Sequence, residues 1–312
     1  MKKILSAVMA GAVALSLTAC GGNSASSAST ASSAAASAAS ASEPAAALQT
    51  VNPGKLTVAT SPDFAPYEFY YIDENGDAQL SGVDVALAGV IADKLGLELE
   101  VIPMDFDGIL MELQSGNVDI GMAGFSPDPD RAETFDFSDL YYMGGQSFCV
   151  TKDNLDKYKD YSDLDGKSVG AQTGSIQMKL ANENTPNANI VGLSKVTDVI
   201  NELISGKLDG AFIETAVAEC YAKNYPELAL AWDVPYDSEG SAIALKKGND
   251  ALLAAVNGVI AEVKEDGTMD QLVAEANELA SDSDNVFEGM LKEDAASEAA
   301  SASEAASASS AA

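Results

Sequence analysis

Apolar positions along this chain switch repeatedly between a period of two and a period near 3.6, which predicts alternating strands and helices. Lys55 to Thr60 alternates as a strand. Tyr67 to Ile72 and Ala78 to Leu80 flank Asp73-Glu-Asn-Gly76, a hairpin-turn signal. Asp84 to Leu95 follows as a helix, with Val83, Leu87, Val90, Ile91 and Leu95 on one face, and Gly96 ends it. Leu97 to Ile102 reads as a strand, Asp107 to Gln114 as a short helix and Val118 to Ala123 as another strand. The second half repeats the scheme. Strands are expected at 168–171, 190–191 and 209–213, and helices at 175–184, 196–205 and 216–224. Two helices, 251–264 and 269–279, close the folded part and are broken at Gly267.

Such alternation argues for α/β layers with mostly parallel sheets. Leu113-Gln-Ser-Gly-Asn-Val-Asp119 is echoed by Leu203-Ile-Ser-Gly-Lys-Leu-Asp209. Each copy ends a helix on Gly and enters a strand after Asp. The copies lie about 90 residues apart, one small α/β unit, which favours two similar lobes over one continuous sheet.

The ends of the chain carry a different pattern. Lys2 and Lys3 precede an apolar run, Ile4 to Thr18, that is short for a membrane span and reads as an export signal over residues 1–19. Residues 20–48 and 284–312 are dominated by Ser and Ala, joined by Glu in the second stretch. They hold too little apolar bulk to offset chain entropy, so a tether and a disordered tail are expected. About 240 residues remain between them, enough for one large domain or two small ones.

Charge narrows the choice of partners. Seventeen basic against 48 acidic residues give a net charge of −31. Nucleic acid and anionic lipid surfaces are thereby disfavoured as partners. There is no histidine, which removes Ser-His-Asp and Cys-His catalysis and any His-ligated metal. Cys149 and Cys220 remain either as a disulfide, which an exported chain permits, or as two buried thiols.

Candidate chemistry gathers at strand ends, where α/β folds place ligands. Arg131, the sole arginine of the chain, lies in Gly124-Phe-Ser-Pro-Asp-Pro-Asp-Arg131. Its guanidinium suits either bidentate capture of a carboxylate or an ion pair with Asp128 or Asp130. Thr173-Gly174-Ser175-Ile176 opens a helix, either as an anion site of backbone N–H groups or as a plain turn capped by Ser175. Glu214, ending a buried strand, either holds an ammonium group or serves the following helix as an N-terminal acid. Phe64 and Phe106 stand in loops after strands, as ligand-stacking or core aromatics.

Taken together these stretches resemble family-3 solute-binding proteins, the polar amino-acid receptors of bacterial ABC importers, over about residues 54 to 281. Asp63-Phe-Ala-Pro-Tyr-Glu-Phe69 and Pro103-Met-Asp-Phe-Asp-Gly-Ile109 look like the two aromatic loops of that family. Asp119 to Arg131, followed by Asp136-Phe-Ser138, looks like its carboxylate-binding strand and loop. Glutamine-binding members are especially similar across Pro103 to Tyr142. Leu17-Thr-Ala-Cys20-Gly21 resembles a lipobox, which implies cleavage before Cys20 and lipid on its thiol.

The resemblance implies a type II periplasmic-binding-protein-like fold of two α/β lobes joined by two hinge strands. Lobe one would take 49–145 and 239–283, and lobe two 146–238, with the hinge near Ser147 to Val150 and Pro235 to Ala242. Arg131 would grip the ligand carboxylate, assisted by the Ser126 hydroxyl, by the backbone at Gly124 and Ser126, and by the Ile176 N–H beside Ser175. Glu214 would pair with the ammonium, Phe64 and Phe106 would sandwich the side chain, and Gln172 would sense it. Ser61 stands where many members carry an acid that selects Lys, Arg or the Gln amide, and Val83 and Ala86 depart from the family's helix opening. A neutral or polar L-amino acid is therefore expected rather than a basic one. The implied protein is a monomeric, lipid-anchored, extracytoplasmic receptor that passes its ligand to an ABC permease, needs no cofactor or metal and catalyses nothing. A same-fold enzyme of the cyclohexadienyl dehydratase type, with Glu214 as acid or base, and a ligand-sensing module of a signalling system are the alternatives.

Overall fold

The computed structural model describes residues 48–236, 240–281 and 286. The expected export signal, the lipobox with Cys20, nearly all of the tether and most of the tail lie outside the described residues. Val286, within the expected tail, is buried in a cluster with Ala280 and Cys220.

The first sheet runs β5-β1-β6-β13-β7. β1 (Lys55–Thr60) is central and pairs in parallel with β5 (Glu98–Pro103) and β6 (Ile120–Gly121). β13 (Ala244–Lys246) returns antiparallel between β6 and β7 (Phe135–Phe137). Helices α1 (Val83–Leu95), α2 (Phe106–Ser115), α7 (Asp250–Glu265) and α8 (Thr268–Ala280) accompany this sheet. Leu87, Ile91, Val256 and Ile260 share one core with Leu56 and Val58 of β1. A small antiparallel sheet of β2 (Asp63–Phe64), β3 (Glu68–Ile72) and β4 (Ala78–Ser81) precedes α1. The turn into α1 requires glycine: Gly82 has φ 124°, and a Cβ there would stand 2.1 Å from the Tyr67 carbonyl oxygen.

The second sheet repeats the order, β10-β9-β11-β8-β12. β9 (Ser168–Gln172) pairs in parallel with β10 (Asn189–Leu193) and β11 (Gly210–Glu214). β8 (Gln146–Thr151) runs antiparallel between β11 and β12 (Leu228–Val234), and β12 forms the edge. Around it pack α4 (Ile176–Asn184), α5 (Val196–Ile204) and α6 (Thr215–Asn224). α5 shows the period near 3.6 in its burial: Val196, Val199, Ile200 and Leu203 form its buried stripe. The two-lobed α/β architecture expected from the sequence is present.

The expected first hinge strand needs correction. Ser147 to Val150 lie inside β8, fully buried between β11 and β12, where a strand with partners on both sides cannot bend freely. The chain first passes between the sheets at 138–145 instead, and it returns where the second passage was expected, with 235–236 and 240–243 as its described residues. Those two passages are tied by an antiparallel bridge between Tyr142 and Ser241, with Ser241 N–H donating to Tyr142 O at 2.8 Å. Cys149 and Cys220 are free buried thiols in different apolar clusters, so the disulfide alternative is set aside.

Candidate functional site

The expected site residues collect where the C-terminal ends of the parallel strands face each other across the lobes. Arg131 is carried by α3 (Pro129–Ala132), a single turn started by Pro129 and capped by Asp128, whose Oδ1 accepts from the N–H groups of Asp130 (2.9 Å) and Arg131 (3.4 Å). The guanidinium forms no ion pair with Asp128 or Asp130. Nη1 donates to Ser126 O at 3.2 Å, and Nη2 crosses to the other lobe and donates to Gly174 O at 2.8 Å. Its carbon stands 5.8 Å from the Phe106 ring centre and 5.7 Å from that of Phe125. Burial lowers its affinity for a proton below the ordinary arginine value, and the nearby charge of Asp128 offsets part of that effect.

Glu214 ends β11 and caps α6, with Oε2 accepting from Val217 N–H at 2.8 Å. Its other oxygen accepts from the Tyr67 hydroxyl of the first lobe at 3.1 Å. Glu214 thus serves its own helix as an N-terminal acid, and its second oxygen faces the seam between the lobes. Burial raises its carboxyl to about 7, against the pull of those donors. Gly144 permits this approach, because a Cβ there would lie 2.6 Å from Glu214 Oε1.

The helix-start loop behaves as a cap. Ser175 Oγ accepts from Met178 N–H at 3.1 Å and donates to Gln172 O at 2.6 Å. Ile176, first in α4, keeps an N–H without an acceptor inside the helix. Gln172 is buried and its amide donates to Ser194 O at 3.1 Å. Gly124 N–H, expected at the ligand, is taken by Asp84 Oδ2 at 3.0 Å. The Ser126 hydroxyl lies 3.3 Å from that of Tyr236 on the second passage between lobes. Phe64 and Phe106 are each 7% exposed but do not stack on each other. Phe64 stacks on Tyr67 in a cluster that includes second-lobe residues, and Phe106 packs on Phe125 in the first lobe.

Several participants are not among the site residues that the sequence singles out. Tyr67 holds Glu214, and Tyr142 meets its ring edge-on at 5.4 Å. Asp63 reaches across the lobes to accept from Val196 N–H, the first N–H of α5. Its other oxygen accepts from the Ser61 hydroxyl at 3.0 Å, and burial raises its carboxyl to about 6. Beneath Gly124, Asp84 also accepts from Tyr141 OH at 2.6 Å, beside Glu68, whose proton affinity burial and Asp84 raise well above that of a free carboxylate.

Comparison with known proteins agrees with this fold. The family model for bacterial extracellular solute-binding proteins, family 3, matches residues 56–276. The arginine-binding extracellular protein ArtP of Bacillus subtilis is 32% identical over 276 residues, which covers 87% of this chain and 96% of ArtP. The amino acid ABC transporter substrate-binding protein AbpA of Streptococcus pneumoniae, solved with L-arginine, is 38% identical with a TM-score of 0.70, over 73% of this chain and 96% of AbpA. The ancestral amino acid-binding protein AncCDT-1, a precursor of cyclohexadienyl dehydratase, is 36% identical with a TM-score of 0.64, over 71% of this chain and 95% of its own.

Proposed function

The chain belongs to the bacterial extracellular solute-binding proteins of family 3, amino-acid-binding components of ABC transporters, and from that premise we propose that Arg131 and Glu214 hold an L-amino acid, first of all L-arginine, between the two lobes. The observation that carries the reading is the seam itself: Arg131 of the first lobe contacts Gly174 of the second, and Glu214 of the second contacts Tyr67 of the first. A zwitterion is costly to desolvate unless each charge meets a counter-charge. A guanidinium and a carboxylate delivered from opposite lobes meet that need when the lobes are together, so the ligand favours the closed form. The bridged passages at Tyr142 and Ser241 would flex as the hinge.

The side-chain preference follows from charge. Asp63 and Glu214 bring two buried carboxyl groups to the seam, and Arg131 brings one guanidinium. A ligand with a net positive charge evens that balance, and both ArtP and AbpA are arginine binders by name or bound ligand. Ser61 does not remove the acid from this corner, because its hydroxyl is bonded to Asp63. A neutral polar ligand is the second reading, favoured by the uncharged Ser61 and Gln172 themselves. Glu214 near 7 has the proton affinity of an acid–base group, but Val217 and Tyr67 occupy both its oxygens, so we propose capture without turnover. Lipid attachment at Cys20 and a monomeric receptor handing ligand to a permease complete the proposal.

A thermal-shift screen of the purified protein against the twenty amino acids tests it. A ligand at a hundredfold excess over its Kd adds about 2.7 kcal/mol to folded stability. A shift largest with L-arginine supports the cationic reading, and one largest with glutamine or another neutral side chain supports the second. No shift with any amino acid on ligand-free protein overturns both.

A further inference from the structure

The loop that carries Arg131 is tied to the second lobe by an ionic contact separate from the expected ligand contacts. Asp128 uses Oδ1 to cap the backbone of Asp130 and Arg131. Its Oδ2 accepts from Lys179 Nζ at 2.8 Å, and the same ammonium lies 2.7 Å from Asp130 Oδ2. Lys179 stands on α4, one turn beyond Ser175, so one lysine of the second lobe reaches two carboxylates of the first. Asp128 is buried at 8% exposure, and the lysine side chain is 36% exposed. The paired acids raise the proton affinity of Lys179, so it carries its charge throughout the physiological range. The contact sits beside the other crossing of this loop, from Arg131 Nη2 to Gly174 O.

We propose that Lys179 is a positioning residue that locks the Arg131 loop in the closed form and thereby sets how long the ligand stays. The proposal rests on reading Arg131 as the carboxylate grip. The ammonium fixes the Asp128 carboxylate, and that carboxylate holds the backbone of the turn that aims Arg131. When the lobes part, the lysine leaves, while the cap of Asp128 on its own turn persists within the first lobe. A contact made in the closed form alone slows ligand release and leaves the first encounter with the open form unchanged. Exposed ion pairs contribute little. Here one carboxylate is buried, and removing the lysine leaves two like charges two residues apart, so a modest but measurable effect is expected.

The test uses the full chain, tritiated L-arginine as probe, and the variants Lys179→Met, Lys179→Arg, Asp130→Asn and the double variant Lys179→Met/Asp130→Asn. Dissociation is followed by dilution into unlabelled arginine, and association by rapid filtration. Lys179→Met is expected to raise the off-rate about three- to tenfold with the on-rate within about twofold. Lys179→Arg should restore most of the retention. Asp130→Asn should matter less in the Lys179→Met background than in the wild type. Wild-type release should quicken with added salt and release from Lys179→Met should not. Unchanged release from Lys179→Met, or an equal fall in the on-rate, overturns the proposal while the reading of Arg131 stands. If the wild type retains no arginine and no other amino acid gives a thermal shift, the reading of Arg131 fails and this proposal fails with it.

Discussion

Replacing Gly144 by alanine tests the placement of the Glu214 carboxylate without touching that residue. The new Cβ would stand 2.6 Å from Glu214 Oε1 and 3.1 Å from the Tyr67 hydroxyl, where ordinary contact begins at 3.4 Å. The carboxylate must therefore retreat by about 3.4 − 2.6 = 0.8 Å. Its bond from Tyr67 is already 3.1 Å long, so that retreat breaks it unless the backbone gives way. A hydrogen bond to a charged group contributes about 1.5–3 kcal/mol, and the substitution should remove much of that from the closed, liganded form. At roughly 1.4 kcal/mol per tenfold, arginine should bind about ten- to a hundredfold more weakly, the lower figure applying if the passage relaxes. Isothermal titration of Gly144→Ala reads this directly. Gly89→Ala is the control, since nothing lies within 4 Å of its added carbon. In a Glu214→Gln background the further loss from Gly144→Ala should be small, because both changes act on one group. Binding by Gly144→Ala within twofold of wild type, at unchanged melting temperature, would refute the assignment of Glu214 to the ammonium.

Three further outcomes are expected. Within the first lobe, and so in the ligand-free protein too, burial raises the carboxyl of Asp84 to about 6 and that of Glu68 well above the free value. A carboxyl raised on folding contributes stability that is full below its unfolded value near 4 and lost as pH climbs through its folded value. Calorimetry of ligand-free protein should thus show a melting temperature about 5 °C or more higher at pH 5 than at pH 8, and a fall on acidification across that window would contradict it. Asp63→Ala removes the cross-lobe acceptor at Val196, a cap-like loss of about 0.5–2 kcal/mol that should weaken ligand binding about two- to thirtyfold while far-UV circular dichroism stays unchanged. Thiol titration of denatured, unreduced protein should find Cys149 and Cys220 both reactive, and a pair that reacts after reduction alone would mean a disulfide.

Much of the scaffold was legible because its periods were clean. α1 announced itself through a one-sided apolar stripe, and the Leu113 and Leu203 echoes fall at the ends of α2 and α5, each leading into a strand of its own sheet. β12 was missed because Leu-Ala-Leu-Ala-Trp favours a helix by composition, and its pairing with β8 overrides that preference. The hinge was displaced for a related reason: an apolar run such as Ser147 to Val150 cannot reveal from its own residues whether it links sheets or lies inside one. Arg131 stood out as a lone arginine at a strand end. Asp63, Tyr67 and Lys179 did not, because their partners Val196, Glu214 and Asp128 are distant in sequence and meet them across the lobes. No local pattern encodes such a meeting.

The proposed grip of Arg131 on the carboxylate of an amino acid closed between the lobes can be removed by one substitution. Calorimetric titration of L-arginine into ligand-free wild type and Arg131→Ala tests it most directly, because removing one partner of a buried charge pair typically costs about 3–5 kcal/mol. Saturable binding by the wild type, lost by more than about a hundredfold in a variant that melts normally, is the predicted result. Equal affinity in the two proteins would contradict the account.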